Sequence, residues 1–226
     1  MLSIIIPTDS NEPNSYFHKT LESFSLKDDL EIIFISKSEA NTRAERLNLG
    51  FHCAKGKIIL FHHPRSFIEK EGINYLIELS KTQNKENIWG GFTHKFDQDH
   101  YLLRFTSWYS NTIRARLKGI LYLDHCIFFD RSLWKRDLPN IEIFEDTILS
   151  NYLRETCTPI ILPYISETSS IRFQKNGIWK QSILNQILKI GYYTKFNPSI
   201  MNRIYEKNLG LNNDYKAKLT QENKNQ

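Results

Sequence analysis

The chain has 226 residues, of which 40% are hydrophobic and 24% are charged, and its formal net charge is +5. This composition is typical of one large globular domain, and it excludes a disordered chain or a small scaffold that needs disulfides to fold. No apolar run approaches the roughly 20 residues that span a membrane, and the start of the chain is too short and uncharged for a signal peptide.

The cysteines and the net charge narrow the class of protein further. Cys53, Cys126 and Cys157 are widely spaced and match no disulfide framework or zinc-ligand spacing, so we expect buried thiols in a reducing cytoplasm. The positive charge is compatible with a nucleoside diphosphate, a lipid surface or nucleic acid as an anionic partner. Because basic and acidic residues are mixed and no nucleic-acid motif is present, we expect no nucleic-acid partner.

The first 85 residues alternate short apolar runs with amphipathic segments. Strands are predicted at 3–7, 30–36 and 57–63, and helices at 16–24, 41–56 and 71–82, with Gly56 as the C-cap of the second helix. This β-α-β-α-β-α order predicts a doubly wound α/β fold with a mostly parallel, Rossmann-like sheet flanked by helices.

The second half of the chain alternates less regularly. Segments 87–97 and 100–110 are interpreted as strands, as are Cys126 to Phe129 and 158–163. A helix is predicted at 144–157. A basic amphipathic helix is predicted at 178–193, and the tail from about Asn212 is polar and predicted to fray.

Several motifs, taken in chain order, resemble those of the family-2 glycosyltransferases. They are "LSIIIPTDSNEPN", "NTRAERLNLGFHCAKGKIILFHHPRSF", "LYLDHCIFF", "FEDTILSNYLR" and "SETSSIRFQKNG", and they are most similar to a bacterial branch associated with radical-SAM and selenoprotein gene neighbourhoods. The resemblance implies a single GT-A domain over residues 1–195, followed by a C-terminal extension over 196–226. It also implies transfer of a sugar from a nucleotide-sugar donor to an acceptor hydroxyl with inversion.

The resemblance also assigns roles to particular residues. In "FEDTIL" it makes Glu145 or Asp146 the general base, with Asp146 favoured, although the helix dipole alone favours acids in a first turn. Asp124 corresponds to an aspartate that orients the acceptor, or else makes a strand-edge turn. The donor-binding positions are Pro7, Asp9, Glu12, Arg43, Asn48, His62 and Arg65.

The sequence departs from the family pattern where the donor diphosphate binds. Pro64 stands where the family has a metal-binding aspartate, and Ser36 stands where a second aspartate contacts the nucleoside. A Mg²⁺ or Mn²⁺ cofactor would therefore lack its usual ligand, since proline has no side-chain donor or acceptor.

Three interpretations of this donor site remain open. In the first, Arg65 and Arg43 replace the metal, because a guanidinium grips phosphate oxygens bidentately. In the second, His62 and His63 bind a transition metal, which the alternation of side chains along a strand disfavours. In the third, the donor site has decayed, and Arg65 is a solvated loop residue.

Two functions of different classes follow from these interpretations. The first is a glycosyltransferase acting on a saccharide or lipid-linked acceptor. The second is a non-catalytic module that binds a nucleotide, a sugar or a protein partner on the same scaffold. The C-terminal helix, with Lys180, Lys189 and Lys195 around an apolar stripe, would allow weak peripheral contact with the inner face of a membrane. We expect instead that Ile183, Leu184, Ile187 and Leu188 pack on the domain core.

Overall fold

The computed structural model describes residues 1–8, 29–82 and 87–206, which form one α/β domain around a seven-stranded sheet. The strands are β1 (Leu2–Pro7), β2 (Leu30–Ile35), β3 (Ile58–Phe61), β4 (Ser66–Ile68), β5 (Trp89–Phe96), β6 (Ile127–Asp130) and β7 (Ile160–Thr168). Their order across the sheet is β2-β1-β3-β6-β5-β7-β4.

Most strands of the sheet run in one direction. Strands β2 and β3 pair parallel with β1, and β6 is antiparallel to both β3 and β5. Strand β7 is parallel to β5, so only β6 and β4 run the other way. This confirms the predicted α/β fold with a mostly parallel sheet. The carboxyl ends of five strands meet at one edge, where open α/β sheets bind ligands.

Helices cover both faces of the sheet. The helices are α1 (Arg43–Cys53), α2 (Lys70–Lys81), α3 (Tyr101–Tyr109), α4 (Glu145–Arg154), α5 (Ile171–Asn176), α6 (Ile178–Tyr193) and α7 (Pro198–Glu206). Successive strand residues face opposite sides, so Ile4 packs with Leu76 of α2 while Ile5 packs with Leu47 of α1. Within the described ranges, no helix combines the length and apolar character needed to cross a membrane.

The predicted C-cap at Gly56 is wrong. Helix α1 begins with a capping box between Thr42 and Glu45 and ends at Cys53, with Ala54 as its C-cap. Gly56 instead donates its backbone N–H to Ser3 Oγ at 2.7 Å, and a Cβ there would collide with the backbone and side chain of Ser3. The glycine therefore serves a close approach to β1.

The predicted strand at 100–110 is also wrong, since the segment forms α3 and a π-helix, Ser110–Leu117. Leu103 and Ser107 are buried and lie four residues apart, which is the spacing of one helix face. The many aromatic residues of the segment had favoured a strand instead. The predicted helix at 16–24 and the polar tail from Asn212 lie outside the described residues.

Candidate active site

A cavity of about 220 Å³ lies at the carboxyl edge of the parallel strands. Its walls come from the segment after β3, the ends of β5 and β7, the turn before β6, and the start of α4, with contributions from α1, α3, α6 and α7. The lining residues used below are Arg43, His63, Arg65, Thr106, Arg114, Tyr122, Asp124, Phe144, Asp146, Arg172, Ser182, Asn185, Gln186, Lys189 and Tyr205. The cavity thus collects cations and carboxylates that are far apart in sequence.

Four of the predicted residues line this cavity: Arg43, Arg65, Asp124 and Asp146. Glu145, Asn48, His62 and Pro7 are not part of its wall, although Glu145 and His62 are immediate neighbours of wall residues. Asp9 and Glu12 lie outside the described residues. The structure therefore brings the two predicted arginines to the same cavity as Asp124 and Asp146, two of the three predicted catalytic acids.

Asp146 stands in the first turn of α4, directly above a residue with unusual backbone geometry. Phe144, which precedes the helix, has φ of 68°, a left-handed conformation that non-glycine residues seldom adopt. The Leu123 N–H donates to Asp146 Oδ2 at 3.1 Å and fixes the carboxylate. Burial, reinforced by the charge of Glu145, raises the pKa of Asp146 to about 7. A carboxylate with such a pKa is suited to accept a proton near neutral pH.

Glu145 lies behind the wall and orients Arg43. Its side chain is fully buried, and it accepts a hydrogen bond from Arg43 Nε. Burial opposes the charge of Arg43, but the charges of Glu145 and Asp146 outweigh burial and raise the pKa of the guanidinium above its ordinary value. Arg43 thus stays cationic at the cavity wall.

Asp124 occupies a short 3₁₀ turn, Leu123–His125, and is followed by Cys126 with φ of 50°. Its carboxylate oxygens lie 3.7 Å from His94 Nε2 and 3.7 Å from Arg114 Nη2. Burial favours the neutral acid, yet the charges of His94 and Arg114 hold the pKa of Asp124 well below its usual range. Because burial also lowers the pKa of His94, Arg114 supplies the permanent positive charge.

Arg114 is held by a buried polar network at the start of the π-helix. Its guanidinium stacks 3.5 Å from the centroid of the Tyr122 ring and also donates to Ser110 Oγ. His125 Nδ1 is 2.9 Å from the Phe92 carbonyl oxygen, and its Nε2 is 2.8 Å from Ser110 Oγ. π-helical turns are frequent at functional sites, and here the widened turn brings Arg114 over the cavity.

His63 and Arg65 follow β3 and approach the cavity together. The Arg65 backbone N–H donates to His63 Nδ1 at 3.2 Å, and Ser66 Oγ lies 3.3 Å from the same nitrogen. An N–H can only donate, so Nδ1 accepts and the proton of the neutral ring lies on Nε2. Burial, with the charges of Arg65 and Arg43, keeps the pKa of His63 well below its usual value. His63 is therefore a neutral hydrogen-bond donor.

His62 belongs to the interior and not to the cavity wall. It is fully buried, and burial lowers its pKa to about 3. The predicted strand at 57–63 therefore ends before both histidines, of which only His63 lines the cavity.

The part of the cavity wall formed by Arg43 and the residues after β3 does not fit a divalent metal ion. Pro64 has no ligand atom, Nδ1 of His63 faces an N–H donor, and Arg43 and Arg65 are cations. Within residues 1–8, 29–82 and 87–206, no group of three or more His, Cys, Asp or Glu side chains is arranged to hold a metal.

Two positions that the sequence resemblance connects with donor binding, Asn48 and Ser36, make contacts within the protein. Asn48 donates from Nδ2 to the Leu138 carbonyl at 2.9 Å and accepts from the Leu138 N–H at 2.9 Å. Ser36 donates through its N–H and Oγ to Glu39 Oε2 at 2.8 and 2.9 Å. In this structure Asn48 holds a loop, and Glu39 places a carboxylate beside the position where the family aspartate is missing.

Several cavity residues were not foreseen from the sequence. His63, Arg114, Arg172 and Lys189 line the wall, and Tyr205 reaches it from α7, beyond residue 195. The motif "HHPR" could have indicated His63, and the basic run "RARLKG" gave a weak indication of Arg114. The spacing of residues in a sequence does not reveal a π-helix, so the position of Arg114 could not be predicted. Nothing local marks Tyr205.

Comparison with known proteins supports the fold directly. No family model and no curated protein sequence matches the chain. Among solved structures, residues 1–349 of S. aureus TarS superpose with a TM-score of 0.54 at 14% identity, over 75% of this chain and 60% of that chain.

The complex of TarS 1–349 with UDP-GlcNAc gives a TM-score of 0.55 at 12% identity, over 75% and 58% of the two chains. Full-length S. aureus TarS gives 0.53 at 12% identity, over 92% of this chain and 43% of that one. The chain therefore spans less than two thirds of the protein it resembles. At this identity the likeness shows the fold alone, and that fold is the α/β fold of the GT-A glycosyltransferases.

Proposed function

We propose that the chain is a glycosyltransferase that moves a sugar from a nucleotide-sugar donor to an acceptor hydroxyl, with inversion and without a metal ion. One observation carries the proposal: Arg43, His63 and Arg65 share a single cavity with Asp146 and Asp124. Glycosyl transfer with inversion needs charge compensation for the leaving diphosphate and a base for the incoming hydroxyl. The cavity offers groups suited to both tasks.

Asp146 is the general base in this proposal. Its pKa of about 7 leaves a substantial fraction ionised at neutral pH while keeping the carboxylate basic enough to take a proton. As the acceptor oxygen attacks the anomeric carbon, its proton passes to Asp146 and the bond to the diphosphate breaks. Asp124, ionised beside Arg114, orients the acceptor by accepting a hydrogen bond from a second hydroxyl, next to the one that attacks.

Arg65, Arg43 and His63 compensate the charge of the leaving diphosphate. Two guanidinium groups grip phosphate oxygens with permanent charge, and the His63 Nε2–H adds a neutral donor beside them. Such preorganised donors stabilise the charge that develops in the transition state, which is the task that a metal ion performs in a metal-dependent enzyme.

A nucleotide-sugar donor also agrees with the fold. S. aureus TarS has been crystallised with UDP-GlcNAc and with UDP. We therefore choose UDP and UDP-sugars as the first probes.

The test is thermal unfolding with nucleoside diphosphates, in EDTA and in Mn²⁺. Ligand at a hundredfold excess over Kd should stabilise the protein by about 2.7 kcal/mol, which raises the melting temperature by roughly 5–10 °C at this size. We expect equal shifts in EDTA and in Mn²⁺, and hydrolysis or transfer of the matching nucleotide sugar. A shift that appears only with Mn²⁺ contradicts metal independence.

The second candidate is a non-catalytic binding module. Asn48 and Ser36 stand at positions where the family binds its donor, but here their side chains form hydrogen bonds within the protein. These internal contacts favour the alternative. It predicts either no stabilisation by any nucleotide, or stabilisation without turnover of any nucleotide sugar.

A further inference from the structure

Helix α6 carries an apolar stripe on its outer face as well as on its inner face. The inner residues Leu184 and Leu188 pack with Phe144 and Met201, as we expected of the whole stripe. The outer residues are between 57% and 62% exposed: Trp179, Ile183, Ile187 and Ile190. Their spacing of four, four and three places them along one side of the helix. The expectation that Ile183 and Ile187 pack on the core is therefore wrong.

Helix α3 presents a second stripe beside the first. Tyr101, Phe105 and Trp108 are between 52% and 60% exposed and are spaced four and three residues apart. The rings of Tyr101 and Trp179 lie 6.4 Å apart, and Lys189 Nζ lies 5.5 Å from the Tyr109 ring centroid. The two helices are thus neighbours along their length, and we call these seven side chains the apolar surface.

The charged residues in the segments that carry the apolar surface are all basic. Residues 101–118 and 171–205 contain no aspartate or glutamate, and their exposed cations are Arg104, Arg116, Lys118, Lys175, Lys180, Lys195 and Arg203. The nearest acids in sequence are taken up by ion pairs, Asp99 with Arg104 at 3.4 Å and Glu206 with Arg172 at 2.6 Å. Lys180 and Lys189 flank the stripe of α6.

The exposed apolar side chains and the surrounding cations together indicate which kind of partner fits this surface. Contiguous exposed apolar area marks an interaction site, and aromatic rings with surrounding lysines match an interface of hydrocarbon and anionic headgroups. A second copy of the chain fits poorly, because a two-fold interface would bring the same cations together.

We propose that the apolar surface docks the protein on an anionic lipid bilayer, with α3 and α6 lying in the headgroup region. Helix α6 also lines the cavity through Ser182, Asn185, Gln186 and Lys189, and α3 through Thr106. Docking therefore places the cavity beside the lipid headgroups. If the proposed function holds, on which this last step rests, the acceptor is a lipid-linked saccharide presented at the bilayer surface.

Flotation with vesicles tests the proposal on the full chain without nucleotide. The probes are phosphatidylcholine vesicles with and without phosphatidylglycerol, at low and high salt. The test variant is Ile183→Gln with Ile187→Gln, and the matched control is Leu49→Gln, an apolar residue of α1 that is 37% exposed. A charge variant, Lys180→Glu with Lys195→Glu, is compared with Lys135→Glu on the exposed loop after β6.

We expect binding to anionic vesicles only, weakened by high salt, lowered at least tenfold by both test variants and unchanged in both controls. Failure of wild type to bind anionic vesicles at any salt, or equal binding by the isoleucine variant, overturns the proposal. So does a dimer in solution that the isoleucine variant makes monomeric, since the surface would then join two copies. Thermal stabilisation by UDP, measured without lipid on the same variants, reports the proposed function separately.

Discussion

Asp146 and Asp124 both face one cavity, yet their surroundings shift their pKa values in opposite directions. Asp146 is 8% exposed, and burial with the charge of Glu145 raises its pKa to about 7. The side chain of Asp124 is 24% exposed, and the charges of His94 and Arg114 hold its pKa well below the usual range.

The difference depends on the carboxylate with which each arginine forms its ion pair. Arg43 lies beside Asp146 but bonds Glu145, so its attraction only moderates the effect of burial on Asp146. Arg114 points an Nη atom toward Asp124. Carboxyl groups whose environments separate their pKa values in this way commonly divide the roles of a reaction. The comparison supports the proposal that Asp146 transfers the proton and Asp124 orients the substrate.

The largest expected effect is that of Asp146→Asn on catalysis. The amide keeps the shape and the acceptor oxygen for Leu123 N–H but cannot take a proton, so kcat should fall about 10²–10⁴-fold while UDP binding persists. The measurement is initial-rate kinetics with UDP titration as the control. Turnover at the wild-type rate would remove Asp146 from the role of base.

The next effect concerns the donor side of the cavity. Arg65→Ala should weaken UDP binding by about 10–100-fold, since a hydrogen bond to a charged group contributes roughly 1.5–3 kcal/mol. Arg65→Lys should recover only part of the loss, because an ammonium cannot grip phosphate bidentately. Calorimetric titration in EDTA measures both, and wild-type affinity in Arg65→Ala would contradict a contact with the diphosphate.

The dependence of the rate on pH follows from the same pKa values. Asp146 must be ionised to act as base, so kcat/KM should rise with pH and level off above about pH 7. Asp124 is already ionised throughout that range and should add no step. A profile that is flat from pH 5 to 8 would contradict the assignment of Asp146.

The sequence allowed the scaffold to be predicted well and the cavity only in part. Runs such as "SIIIP" and "KIILF" predict buried strands from their apolar residues alone, and the end of β3 places Arg65 at the edge of the sheet where the cavity lies. The π-helix that carries Arg114 has no such local signature. Its position depends on the buried contact between Ser110 and His125, which are 15 residues apart in sequence.

Burial was the other quantity that the sequence could not supply. The pattern of α6 predicted one apolar face, but the helix has two, and only packing against Phe144 and Met201 selects the inner one. Likewise, "FEDTIL" offered two adjacent acids, of which the resemblance alone favoured Asp146. The hydrogen bond from Arg43 to Glu145 distinguishes the positioning acid from the acid that faces the cavity.

Replacing each aspartate by asparagine should change the stability of the folded protein in opposite directions near neutral pH. The folded-state pKa of Asp146 lies above its ordinary value of 3.8, so folded protein binds the proton more tightly and stability falls as pH rises from about 4 to 7. Asp146→Asn should therefore be more stable than wild type at pH 8, by up to a few kcal/mol at about 1.4 kcal/mol per pKa unit, and equal to it at pH 4.

Asp124→Asn should behave in the opposite way. The pKa of Asp124 is lowered on folding, so its contribution is present above pH 4 and is lost as the pH falls below that value. The variant should be less stable than wild type at pH 7, with the difference shrinking in acid. Thermal melts of both variants from pH 3 to 8 measure the two trends, and parallel curves would mean that the environments do not differ.

The smallest expected effect is at His63, and it distinguishes a hydrogen-bond donor from a metal ligand. His63→Ala should lower kcat/KM by about 2–10-fold, the net contribution of one hydrogen bond. His63→Gln should recover part of that loss, since an amide N–H can replace the Nε2–H donor. Because His63 stays neutral across the working range, neither variant should move the pH profile set by Asp146. If His63 instead bound a metal, EDTA would depress the wild-type rate to that of His63→Ala, and Mn²⁺ would restore wild type alone; a donor predicts that the wild-type rate is the same in EDTA and in Mn²⁺.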